Sequence, residues 1–184
     1  MLLKGYGCRN WFNLDRRVKE YLTLSLNYRH VPKSDIYVCT SPYTAMYVKE
    51  YPTESKYYFI QGYENWGAVT DEMLRETYHY PLKKIVISKW LQKIIENEER
   101  EKCTLIYNGF NFNDFKEDIK ISDKDKHSVT MLYHTLELKG AKYGLEALEI
   151  VKKEIPQLRA NLFGTPTTPA RLPDWITYNQ QPSK

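Results

Sequence analysis

The sequence predicts an α/β protein built from two parallel-sheet units. Short runs rich in strand-forming residues alternate with segments of helical periodicity, the pattern of βαβ units. The strand runs are apolar along their length, as suits parallel strands covered by helices on both faces. A polar, aperiodic stretch over residues 116–127, KEDIKISDKDKH, separates an earlier set of units from a later one.

In the earlier set, Leu14, Val18, Tyr21, Leu22 and Leu26 recur at helical spacing with Asn13 as a cap, and Pro32 closes that helix. Residues 35–40 (DIYVCT) read as a strand, and Ser41-Pro42 opens a helix through Thr44, Ala45, Met46 and Val48. Residues 56–61 are a strand ending at the Gly62 turn, and Thr70 caps a helix through Met73, Leu74 and Thr77. Residues 84–88 are the next strand, followed by a helix with Trp90, Leu91, Ile94 and Ile95 on one face. Residues 104–107 form a strand broken by the turn pair Asn108-Gly109, whose φ is expected to be positive.

Beyond the linker, residues 128–133 are a strand and 140–154 a helix with Leu145, Leu148, Ile150 and Val151 inward. Residues 160–163 are a strand closed by Gly164, and residues 175–178 one more. The expected division is therefore 1–115, a linker at 116–127, and 128–184.

Composition narrows the function classes. The chain has 184 residues, 42% hydrophobic, 14% aromatic and 27% charged, which supports a packed core and argues against long disorder. No apolar run approaches the roughly 20 residues that span a bilayer, and the first residues, MLLKGYG, lack a signal-peptide core. A cytoplasmic protein is expected. Cys8, Cys39 and Cys103 are odd in number and lack metal-ligand spacing, so no metal is expected, and Cys39 reads as a small buried hydrophobe. The net charge of +4 is spread along the chain without a basic stripe, and the 16 tyrosines fit half-buried packing positions, so nucleic acid is not an expected partner.

Ligands of open parallel sheets sit beyond the carboxyl ends of the strands. That rule selects Thr40-Ser41, Gln61 to Glu64, Ser88, Asn108-Gly109, His134 to Gly140 and Gly164-Thr165. In YHTLELKG, at 133–140, a strand passes into a helix; amides at a helix start attract phosphate, Gly140 permits close approach to the backbone, and Lys139 supplies charge. A plain helix entry with a solvated Lys139 reads the same way.

Three blocks then carry a family resemblance: Ile85-Val86-Ile87-Ser88-Lys89-Trp90-Leu91; Ile106-Tyr107-Asn108-Gly109 with Phe115; and Lys139-Gly140 with Gly144-Leu145-Glu146-Ala147 and Leu162-Phe163-Gly164. In this order they resemble the family-4 (group 1) glycosyltransferases of the GT-B fold, which have two Rossmann-like domains. Tyr58-Phe59-Ile60-Gln61-Gly62-Tyr63-Glu64 is similar to rhamnosyl- and related polysaccharide glycosyltransferases.

The resemblance implies transfer of a sugar, with retention, from a nucleoside-diphosphate sugar to a saccharide or lipid-linked acceptor in surface-polysaccharide synthesis. The nucleotide sugar is substrate and no cofactor is needed; peripheral contact at the inner membrane face also follows. Lys139, Gly140 and His134 are the implied diphosphate group, His134 standing where many members carry an arginine. Glu64 and Gln61 are the implied catalytic pair on the acceptor side, with Ser88, Asn108, Gly109 and Gly164 elsewhere in the cleft. The resemblance also leads to the expectation of a partial version. The second unit stops short of the glutamates that grip ribose and sugar, so that the chain alone is inactive, self-associates or needs a complementing chain. A non-catalytic partner module and a GT-B sugar-nucleotide epimerase are the alternatives.

Overall fold

The computed structural model describes residues 3–4, 14–99, 102–113, 115, 119–167 and 171–182. Asn13, Cys8 and the linker positions 116–118 lie outside them. In chain order the elements are β1 (Leu3–Lys4), β2 (Tyr21–Leu22), β3 (Tyr37–Cys39), α1 (Pro42–Val48), β4 (Lys56–Ile60), α2 (Asp71–Tyr78), β5 (Lys83–Val86), α3 (Lys89–Glu99), β6 (Thr104–Leu105), β7 (Ser128–Leu132), α4 (Ala141–Glu154), β8 (Arg159–Gly164) and β9 (Ile176–Gln180). The chain divides into two compact units between Asn111 and Phe112.

The first unit holds a four-stranded sheet of order β3-β4-β5-β6, and every pairing in it is parallel. Local sequence explains its helices. Ser41 accepts from the Thr44 amide and Thr44 reaches back to the Ser41 amide, a reciprocal cap with Pro42 in the first turn. Thr70 caps α2 through the Met73 amide. The helices pack side by side, α1 on α2 and α2 on α3. Under them lie Cys39, Tyr58, Ile60, Leu74, Tyr78, Val86, Leu91 and Ile95, each no more than 2% exposed. The opposite face, bearing Val38, Tyr57, Phe59 and Ile85 in register, carries no helix among the described residues, and Val38 is 56% exposed. This differs from the expectation of helices on both faces: successive crossovers step one way along the sheet and deliver α1, α2 and α3 to the same side.

The expected helix behind Asn13 does not form. The segment turns at Asp15, where the Val18 amide donates to the Asp15 carbonyl, then runs as β2 against β1. Thr23, Ser25 and Asn27 bond the nearby backbone with their side chains, which competes with helix formation. Two downstream tyrosines pin the strap: the Tyr51 hydroxyl donates to the Leu26 carbonyl at 2.6 Å and the Tyr37 hydroxyl to Pro32 at 3.2 Å. Tyr28, Tyr37 and Tyr51 meet edge-to-face, with ring centroids 4.8–6.2 Å apart, each pair contributing about 0.5–1.5 kcal/mol beyond its buried area. Cys39 is buried beneath them, its thiol donating to the Tyr57 carbonyl at 3.3 Å, and burial pushes its pKa up to about 12. Trp90 is 60% exposed while Leu91 and Ile95 are buried, so it stands off the inward face assigned to it.

The second unit is a three-stranded parallel sheet, β7-β8-β9, with α4 on one face. Its buried residues are Ala141, Leu148, Leu158, Ala160, Leu162 and Ile176. Ile150 and Val151 point away from that core, 64% and 39% exposed, because the stripe through Ala141, Leu145, Leu148 and Lys152 is the one that meets the sheet. Lys152 belongs to that stripe through its stem, and its amine donates to the Pro156 and Leu158 carbonyls. Among the described residues no helix is long and apolar enough to cross a membrane.

Candidate functional site

In the first unit the register aligns the carboxyl ends of the strands along one edge, since Ile60 pairs with Val86 and Val86 with Leu105. That edge gathers Gln61 to Glu64 after β4, Ser88 after β5 and Asn108-Gly109 after β6. The Ser88 hydroxyl accepts from the Leu91 amide at 3.2 Å, so it caps α3. Asn108 and Gly109 are exposed. Gly109 does not have the positive φ expected of it; among the described glycines that backbone occurs at Gly67 and Gly140. The chain after β6 runs without regular structure and turns later, at Phe112-Asn113.

The loop after β4 is the most constrained part of the edge. The Arg75 guanidinium donates to Glu98 at 2.5 Å and lies within electrostatic reach of Tyr63, whose ring meets Trp90 edge-on with centroids 6.4 Å apart. Asn65 donates to Asp71, and the Val69 amide to the Trp66 carbonyl across the left-handed Gly67. Glu64 is half-buried, and loss of solvent raises its carboxyl above the ordinary range. Burial raises the Tyr58 and Tyr78 phenols, and the nearby Glu64 charge adds to this. The Tyr78 hydroxyl is fully buried and has no hydrogen-bond partner among the described residues. Such a group costs about 1–3 kcal/mol. It was not foreseeable, because a tyrosine on an amphipathic helix reads simply as core.

In the second unit, the chain leaving β7 makes a one-turn 3-10 helix, Glu137–Lys139, then enters α4 through Gly140 at φ +68°. An αL residue is where glycine is favoured. His134 is half-buried and its Nδ1 accepts from the Leu136 amide at 3.0 Å, which fixes the ring as the Nε2–H tautomer. Between this loop and α4 lies a cleft of about 470 Å³ lined by His134, Thr135, Glu137, Lys142, Glu146 and Glu149, among others. Lys139 is exposed on the preceding turn and does not line it. Lys142, which sequence reasoning missed, does line it and lies 4.0 Å from Glu146. Gly164 does not touch the cleft: it lies against the Tyr133 carbonyl and allows β7 and β8 to converge beneath the loop. Among the described residues no group of His, Cys, Asp and Glu is arranged to hold a metal ion.

No protein-family model, curated protein or solved structure matches this chain. The fold and the two strand-end sites define an α/β protein with parallel sheets and nothing more specific.

Proposed function

We propose that the protein is a glycosyltransferase of the GT-B type, or part of one, acting on a nucleoside-diphosphate sugar and a saccharide or lipid-linked acceptor. The observation supporting this is the cleft at the carboxyl end of β7, where His134, the 3-10 turn and the αL Gly140 lead into the uncapped start of α4. A diphosphate suits that loop: helix-start amides and a nearby ammonium meet its charge with little reorganisation, which is what a departing diphosphate requires. Glu146 and Glu149 on the α4 wall repel phosphate and accept from hydroxyls, so the ribose or sugar is assigned to their side. In this reading Lys142 and Lys139 share the cationic role, and Nε2–H of His134 donates one bond where a guanidinium would give two.

On the other unit, Glu64 is assigned to an acceptor hydroxyl. A carboxyl held partly out of water is a stronger base toward a bound hydroxyl than a solvated one.

The test is thermal stability in the presence of nucleoside diphosphates and their sugars. A ligand at 100 times its Kd should add ~2.7 kcal/mol, and Lys142→Ala should weaken that ligand about tenfold, the loss of one charge-assisted contact. Lys139→Ala should have a smaller effect, since Lys139 stands outside the cleft. If no nucleotide stabilises the protein, the donor site is misassigned. A second reading, a partner-binding module, is favoured by one observation: Tyr143, Ile150 and Val151 form an exposed apolar stripe on α4. A nucleotide-insensitive protein whose stripe is covered by another chain would decide for it.

A further inference from the structure

We propose that the loop after β4 is a saccharide-stacking platform, with Trp66 and Trp90 presenting indole faces to a sugar ring and Glu64 accepting one of its hydroxyls. The inference rests on the acceptor-side assignment above and adds the chemical class that the site takes. Trp66 and Trp90 are 57% and 60% exposed, so each leaves much of an indole surface open to a ligand. Both are held rather than loose. Trp66 begins the Gly67 turn, tied down by the Trp66–Val69 bond and the Asn65–Asp71 bond. Trp90 stands in the first turn of α3 with its ring edge-on to that of Tyr63, centroids 6.4 Å apart.

Glu64 belongs to the same spot. A Cβ added to Gly62 would lie 3.9 Å from Glu64 Cγ and 4.0 Å from the tip of the Trp66 ring, so carboxylate and indole flank one glycine. Beneath them, and independent of the tryptophans, the buried Tyr78 hydroxyl sits within electrostatic reach of Tyr63 and Glu64 without a hydrogen-bond partner among the described residues. An aromatic face with an adjacent acceptor-only group matches a sugar ring, which offers C–H bonds on one side and hydroxyl donors at its rim. A membrane surface and a nucleotide fit less well: Glu64 flanks Gly62 together with the Trp66 ring, Asp71 is bonded to the neighbouring Asn65, and both carboxylates repel anionic headgroups and phosphates.

The experiment uses the full chain, with the indole N–H signals assigned by single Trp→Phe variants. It is titrated in turn with di- and trisaccharides of hexose, deoxyhexose and N-acetylhexosamine, with nucleosides, with anionic vesicles, and with nucleoside diphosphates. The expected result is saturable movement of the Trp66 and Trp90 signals together with at least one saccharide. Trp66→Ala and Trp90→Ala should each weaken binding about tenfold while Trp175→Phe does not. Still signals with every saccharide overturn the proposal, as does movement only with nucleosides or vesicles. Retained dispersion of the amide spectrum shows that each variant is folded. The two failures are separable: nucleoside diphosphates that shift the β7–α4 loop while saccharides leave the indoles unmoved sink the platform alone. Saccharide binding without nucleotide binding sinks the donor site alone.

Discussion

Glu64 shows how much one side chain's surroundings decide. Desolvation raises its carboxyl above the ordinary value of 4.5. The native state therefore holds a proton that the unfolded chain releases, and stability falls as pH rises between the two values. Below the unfolded value there is no penalty; above the native value it is present in full. Glu64→Gln removes the titration, so its stability relative to the parent should improve from about pH 4 to about pH 7. Urea midpoints at the two pH values measure this, and a difference that is flat or reversed would contradict the burial account. Glu64 was recognisable in the sequence because it follows a strand end. Its environment was not, because Tyr58 and Tyr78 reach it from β4 and α2, and no local pattern links those positions.

At the scale of elements, close packing in the second unit depends on two glycines of unequal tolerance. A Cβ at Gly164 would sit 2.2 Å from the Tyr133 carbonyl oxygen, and one at Gly144 would sit 2.3 Å from Met131 Sδ. Backbone cannot step aside, whereas a thioether chain can rotate away. Gly164→Ala should cost about 1–3 kcal/mol or more. Gly144→Ala should be nearly neutral, since alanine recovers up to ~1 kcal/mol of helix propensity. Urea unfolding followed through β7–β9 amide signals measures both, and equal losses would show that Met131 is locked.

Elements were legible where a local device announces them. Ser41-Pro42 and Thr70 each mark a helix start, and the apolar runs at β4, β5 and β8 mark strands. The strap before β3 was misread because its leucine spacing mimics a helix, while the tyrosines that hold it extended come later in the chain. Gly109 and Ile150 failed for a related reason: a turn-prone dipeptide and an apolar residue on a helix each have a default reading that only packing overrules. Lys142 escaped notice because its role depends on the loop 133–140 folding back over α4.

Over the whole molecule the two units differ in the depth of their cores. Among the described residues, the first buries its sheet face under three helices and the second under one, and Leu132 and Phe163 on the other face of the second sheet are 52% and 37% exposed. Opening free energy follows buried apolar contact. Amide hydrogen exchange should therefore be slowest in β4 and β5 and faster throughout β7, β8 and β9. Equal protection in both sheets would mean that something further covers the second.

The thiol of Cys39 turns that architecture into chemistry. Only a thiolate attacks an alkylating reagent, and a thiol with a pKa of about 12 under the tyrosine triad is almost never ionised or reached at neutral pH. In a variant with Cys8 and Cys103 replaced by serine, iodoacetamide should modify the protein no faster than the β3–α1 corner opens. Phenylalanine at Tyr51, which cuts the tether to Leu26, should quicken the reaction without touching the sulfur. Each alkylated molecule would then record one departure of the strap from its sheet.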